Sequence, residues 1–187
     1  MSQEISHLMK TIALTILCAV AALAQAPAAG GNPTIAEFKA NYTQVKNNLI
    51  RMAEKMPAEN YEYKPVPEVR TFAALMVHIA DAQMRTCTSI NSGQAKSTDA
   101  GTKTEKDVVV AALKASFAEC DATWEATNDA NAFQMIAGGR GSRSRLGSLA
   151  YMTAVHNSEE YGYGAMYLRS KGIVPPSSDA APGRGGR

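Results

Sequence analysis

The sequence predicts an all-α protein, a four-helix bundle with a long crossover between helices two and three. Four stretches of about 20 residues place apolar side chains three and four apart, the period of one helix face. Segments bearing proline or glycine separate them. No stretch shows the strict alternation of a half-buried strand, and no internal repeat is present. Helices that each carry one apolar stripe bury those stripes around a shared core.

Helix one is expected from about Thr34 to Met56, with Ile35, Phe38, Tyr42, Val45, Leu49, Met52 and Met56 inward. Thr34 and Glu37 fit a capping box at its start, and Pro57 ends it. A proline-bearing connector follows over 57–70. Helix two is expected from about Thr71 to Ile90, with Phe72, Leu75, Ile79 and Ala82 inward and His78 beside them. The polar segment 91–103 reads as a flexible link. Helix three is expected from about Thr104 to Thr127, burying Val109, Ala112, Leu113, Ser116, Phe117, Cys120 and Trp124. A loop rich in Gly and Arg is expected over 128–147, then helix four from about Ser148 to Lys171. Gly172 suits a C-terminal cap, and Pro175-Pro176 prevents continuation.

The crossover follows from two cysteines. Cys87 and Cys120 each lie 16 residues past their expected helix starts, Thr71 and Thr104. Antiparallel neighbours would hold the two sulfurs near opposite ends, whereas a disulfide needs Cα atoms within about 7 Å. A Cys87–Cys120 bond therefore requires helices two and three to run parallel. The link over 91–103 reaches about 43 Å when extended, enough to return along a helix of about 30 Å.

The N-terminus reads as a targeting segment. Lys10 precedes an uncharged apolar run from Thr11 to Ala24 that ends in Ala22-Leu23-Ala24, the pattern of a cleavable signal peptide over residues 1–24. The run is short for a membrane span. The expectation is export to the periplasm or exterior, with no membrane association after cleavage. Residues 25–33 read as a linker, 34–176 as the bundle and 177–187 as a disordered tail. The mature chain keeps Cys87 and Cys120 as its cysteines, and an exported chain suits their oxidation. Nineteen Lys and Arg against 17 Asp and Glu leave a formal charge of +2, without the concentrated basic face of a nucleic-acid binder.

Chemistry in a bundle comes from polar side chains on inward faces. His78 lies three residues after Leu75 and four before Ala82. On helix four, Met152, His156, Glu160 and Tyr163 follow at spacings of 4, 4 and 3. His78 and His156 both fall near mid-bundle, by the rise of about 1.5 Å per residue. His78, His156 and Glu160 form a candidate site for one divalent metal ion (Zn, Ni or Fe), open to a further ligand. Tyr163 is the candidate to orient a substrate or water. Arg140, Arg143 and Arg145 precede helix four and could hold an anion at its N-terminus, although a solvated loop is the simpler reading.

Three segments carry a family resemblance. Val69–Gln83 is similar to the second helix of DinB-like proteins, Ser144–Gly147 and His156–Gly162 to their fourth-helix motif, and Tyr167–Ser177 to their ending. The resemblance spans about residues 34–178. It implies a bundle that holds a divalent metal with three histidines, one on helix two and two spaced four apart on helix four. His78 and His156 occupy two of those positions, and Glu160 stands in the third. The resemblance further implies a homodimer and metal-dependent transferase chemistry, in which a metal activates a small thiol. Activation of water for hydrolysis is the other use of such a site. Two readings follow: a metal-dependent transferase or hydrolase acting on a small molecule, or a non-catalytic binding or stress-associated bundle whose histidines only hydrogen-bond within the core.

Overall fold

The computed structural model describes residues 31–136 and 141–179. The expected signal peptide, residues 25–30 of the linker, Arg140 and residues 180–187 lie outside the described residues. Helix α1 spans Pro33–Lys55, α2 Phe72–Ser92 and α3 Lys106–Glu125. Helix α4 is continuous but mixed: α-helical over Arg145–Leu149, π-helical over Ala150–His156 and α-helical again over Asn157–Ser170.

Side-chain pairs fix the helix directions. From α2 to α3, Gln83 meets Ser116, Cys87 is bonded to Cys120, and Asn91 donates to Thr123 Oγ1 at 2.9 Å. Both numbers rise together, so α2 and α3 are parallel. From α1 to α3, Lys39 pairs with Glu125 and Glu54 with Lys114, which is antiparallel. Helix α4 also runs against α2: His78 faces Glu160, and Tyr167 donates to the carbonyl of Arg70, just before α2, at 2.6 Å. The expected crossover is therefore present, and the Cys87 and Cys120 Cα atoms stand 5.2 Å apart.

The expected stripes form the core. Tyr42, Leu49, Met52, Phe72, Ile79, Leu113, Phe117 and Trp124 are all buried. Tyr42 stacks on Trp124 with ring centroids 5.8 Å apart and donates to Asp121 Oδ1 at 2.7 Å. Gly164 lets α4 approach α1 closely, because a Cβ there would overlap Met52 Sδ. Gly172, at φ 71°, closes α4 as expected: its N–H bonds Arg169 and that of Ile173 bonds Leu168, the paired arrangement that lets only a left-handed residue end the helix cleanly.

Several expectations are corrected. Helix α1 is capped by Asn32, whose side chain accepts from Thr34 N at 3.0 Å, so the Thr34–Glu37 box is not used. Pro33, with its fixed φ and missing N–H, suits the first helical position. The link between α2 and α3 is not loose. Asp81 accepts from both the N–H and the hydroxyl of Thr98, at 2.8 and 2.6 Å, and Thr88 Oγ1 accepts from Lys96 N at 2.9 Å. The expected loop over 128–147 holds two strands, β1 Met135–Ile136 and β2 Arg143–Ser144, antiparallel with Met135 opposite Ser144. Helix α4 starts three residues earlier than expected, because Ser144 Oγ caps it by accepting from Gly147 N at 3.0 Å. At the C-terminus the chain packs past residue 176. A 3₁₀ turn spans Pro176–Ser178, Ser177 N donates to Tyr161, and Asp179 pairs with Arg51 and Lys55.

Candidate metal centre

His78 sits on α2, one residue before the fully buried Ile79, and is itself half-buried. His156 ends the π-helical turn of α4, and Glu160 lies one turn further on. The structure brings these three together. Glu160 Oε1 stands 3.4 Å from His78 Nε2 and 3.4 Å from His156 Nε2. One ligand atom from each residue lies within 4.8 Å of the other two, so this His/His/Glu group could hold a metal ion. The imidazole rings tilt 56° to one another at a centroid distance of 5.4 Å.

The donor set fits a cation better than it fits its own protons. Ligands about 2.0–2.1 Å from a shared ion in tetrahedral array stand roughly 3.3–3.4 Å apart, which matches both His–Glu separations. A charge-assisted hydrogen bond would be shorter, at about 2.7–2.9 Å. Glu160 is buried, and its Oε2 has no hydrogen-bond partner. A buried carboxylate oxygen left without a donor is costly, and a coordinated cation relieves that cost.

The imidazoles are prepared to act as ligands. Burial holds His78 below its usual pKa, and the positive charge of Arg70 adds to the depression against the pull of Glu160. The ring is therefore neutral at neutral pH, with a lone pair to offer. His156 Nδ1 lies 3.2 Å from Asn157 Oδ1. A proton donated there leaves the Nε2 lone pair directed at Glu160 and fixes the ring, the usual task of a ligand's outer partner.

A family model for the DinB superfamily matches residues 41–163. This chain belongs to the DinB superfamily.

Solved structures agree on the DinB fold. A DinB-like protein from Bacillus cereus has a TM-score of 0.62 at 16% identity, with 74% of this chain and 93% of that one covered. A DinB-like protein from Bacillus subtilis has a TM-score of 0.57 at 18% identity, covering 76% and 94%. A mycothiol-dependent maleylpyruvate isomerase has a TM-score of 0.53 at 14% identity, and the match covers 70% of this chain and 59% of the isomerase. No curated protein matches this DinB chain in sequence.

Tyr163 does not join the three ligands. It is 54% exposed, and its hydroxyl donates to Glu159 Oε1 at 2.9 Å. Three residues beyond Glu160 leave a side chain about 60° short of a full turn, and the buried line of α4 passes instead through Gly164 and Leu168. The expectation for Arg145 is corrected. It is buried, not solvated, and its guanidinium donates to Thr127 Oγ1 at 2.9 Å and to the Thr123 carbonyl at 3.3 Å. It ties the start of α4 to the end of α3.

Arg143 lies over the Tyr151 ring, 4.3 Å from its centroid. Both residues line a cleft of about 580 Å³ that His78 and His156 also line. The sequence reading missed Asn157 and Tyr151. Asn157 could have been found: it lies three residues before Glu160 and four after Thr153, on the buried line of α4. Tyr151 carried no such signal.

Proposed function

We propose that this DinB chain is a metal-dependent enzyme acting on a small molecule, with one divalent ion (Zn, Ni or Fe) held by His78, His156 and Glu160. The reaction class is thiol transfer or hydrolysis. The observation that carries the reading is the buried Glu160 carboxylate, set 3.4 Å from two Nε2 atoms with its second oxygen unpartnered. When bound, a divalent cation supplies Lewis acidity, which makes a thiol or water nucleophilic near neutral pH.

The chain's own residues do the rest. Asn157 Oδ1, 3.2 Å from His156 Nδ1, is placed to accept a proton held there. The depressed pKa of His78 keeps that ring unprotonated. Both imidazoles line the cleft while Glu160 is buried and does not, so a nucleophile and its target approach from the cleft side. The likeness to a mycothiol-dependent isomerase supports the thiol branch.

Export through a cleaved signal peptide belongs to this reading. The Cys87–Cys120 disulfide supports it, since such bonds persist in oxidising compartments. Among the described residues no helix is long and apolar enough to cross a membrane. Pairing of two copies is also part of the reading, and the exposed Val155, Tyr163 and Met166 of α4 offer an apolar face for it.

The test is turnover. Chelator-stripped protein, reloaded in parallel with Zn²⁺, Ni²⁺ or Fe²⁺, is assayed for loss of a small thiol onto an electrophile and for hydrolysis of chromogenic esters. One ion should restore one of the two activities, and His156→Ala should abolish it. Equal activity in stripped and reloaded protein, or in His156→Ala, contradicts the proposal. Absence of both activities with every ion favours the non-catalytic bundle.

A further inference from the structure

The cleft beside the triad has a chemical bias that the triad does not explain. Two arginines line it, Arg85 from α2 and Arg143 from β2. Among the described residues no Asp or Glu lines it. Thr86, Ser89 and Ser148 and the apolar Ile136 and Met152 complete much of the wall. A volume of about 580 Å³ is that of a small-molecule pocket.

The two guanidinium groups are not equivalent. Arg85 is already engaged: it lies 3.7 Å from Asp81 Oδ2 and donates to Ser97 Oγ at 2.9 Å. Among the described residues Arg143 has no carboxylate within ion-pair distance. Its guanidinium carbon lies over the Tyr151 ring, a contact that orients the group, and among the described residues no hydrogen bond occupies its donors, so they can meet a bidentate acceptor.

We propose that the cleft takes a small organic carboxylate, its carboxylate held by Arg143 with Arg85 adding charge and its apolar body lying on Ile136 and Met152. This names the substrate class of the site assigned above and rests on that reading. His78 and His156 line the same cleft, so a carboxylate held at Arg143 shares it with the two imidazoles where reaction would occur. Neither a neutral analogue nor a bulky cation satisfies the same wall.

The probe pair is benzoate and benzamide, which differ in charge and little in shape. Binding to metal-free, full-length protein is followed by calorimetry and by the imidazole proton resonances of His78 and His156. Benzoate should bind at least about tenfold more tightly than benzamide, the scale of one charge-assisted bidentate contact. Arg143→Gln, at an exposed position, should remove that preference, Arg143→Lys should keep part of it, and Arg169→Gln outside the cleft should leave it intact. Equal affinity for the two probes, no binding of either, or a benzoate preference that survives Arg143→Gln overturns the proposal. Metal titration of the same samples is a separate readout. Failure to bind metal would sink the metal centre and leave the carboxylate comparison standing, and the reverse also holds.

Discussion

Removing the Cys87–Cys120 bond should cost a large and strongly non-additive share of stability. The bond closes a chain segment with a sequence separation of 33. Loop-closure entropy for that length predicts roughly 3.5–4 kcal/mol, through its restriction of the unfolded chain. For a domain of this size each kcal/mol moves Tm by about 2–4 °C, so the expected drop is about 7–16 °C. Both sulfurs are fully buried, and replacement by Ala adds a small packing loss that the loop term exceeds. The assay is thermal and urea unfolding of the wild type, Cys87→Ala, Cys120→Ala and the double variant. Because one bond is lost in every case, each single variant should fall about as far as the double. Single effects that sum to the double effect, or a double variant within about 1 kcal/mol of wild type, would refute the reasoning.

Other outcomes follow from named contacts. Gly164→Ala places a Cβ on Met52 Sδ and should destabilise by about 1–3 kcal/mol in chemical unfolding. Arg145→Met removes the donors to Thr127 and Thr123 and should lower the urea midpoint by a shift equivalent to about 1–3 kcal/mol, without altering metal stoichiometry. Tyr163→Phe should leave metal affinity unchanged, since the hydroxyl is bonded to Glu159. The pH dependence has a definite sign. Burial depresses the folded pKa of His78, so its contribution is complete above the unfolded value of about 6.5 and is lost as pH falls from there toward the folded value. The urea midpoint of metal-free wild type should therefore drop more steeply below about pH 6.5 than that of His78→Gln; parallel curves would contradict this.

Much of this arrangement is legible in the sequence because helix faces are periodic. The stripe from Ile35 to Met56 reads directly as core, and the positions of Cys87 and Cys120 dictate parallel α2 and α3 once they are joined. The triad is legible for the same reason: His156 and Glu160 are one turn apart, and His78 falls at a matching depth.

What is not legible depends on contacts distant in sequence. Arg145 resembles its exposed neighbours until Thr123 and Thr127 supply acceptors 22 and 18 residues away. The two-residue ribbon of β1 and β2 is too short to leave a period. The π-helical turn over Ala150–His156 carries no local breaker, and it widens the helix up to and including His156, in the manner often seen at functional sites. Tyr163 follows the spacing rule of a helix face but sits at its edge, where a rotation of about 60° decides between cleft and solvent.

The central claim is tested most directly by calorimetric titration of Zn²⁺ into metal-free protein, with wild type beside His78→Ala and Glu160→Gln. The account predicts one ion per chain in the wild type, loss of that site in His78→Ala, and weakened binding in Glu160→Gln with the fold retained in both. No saturable site in the wild type, or a site of unchanged affinity in both variants, would contradict it.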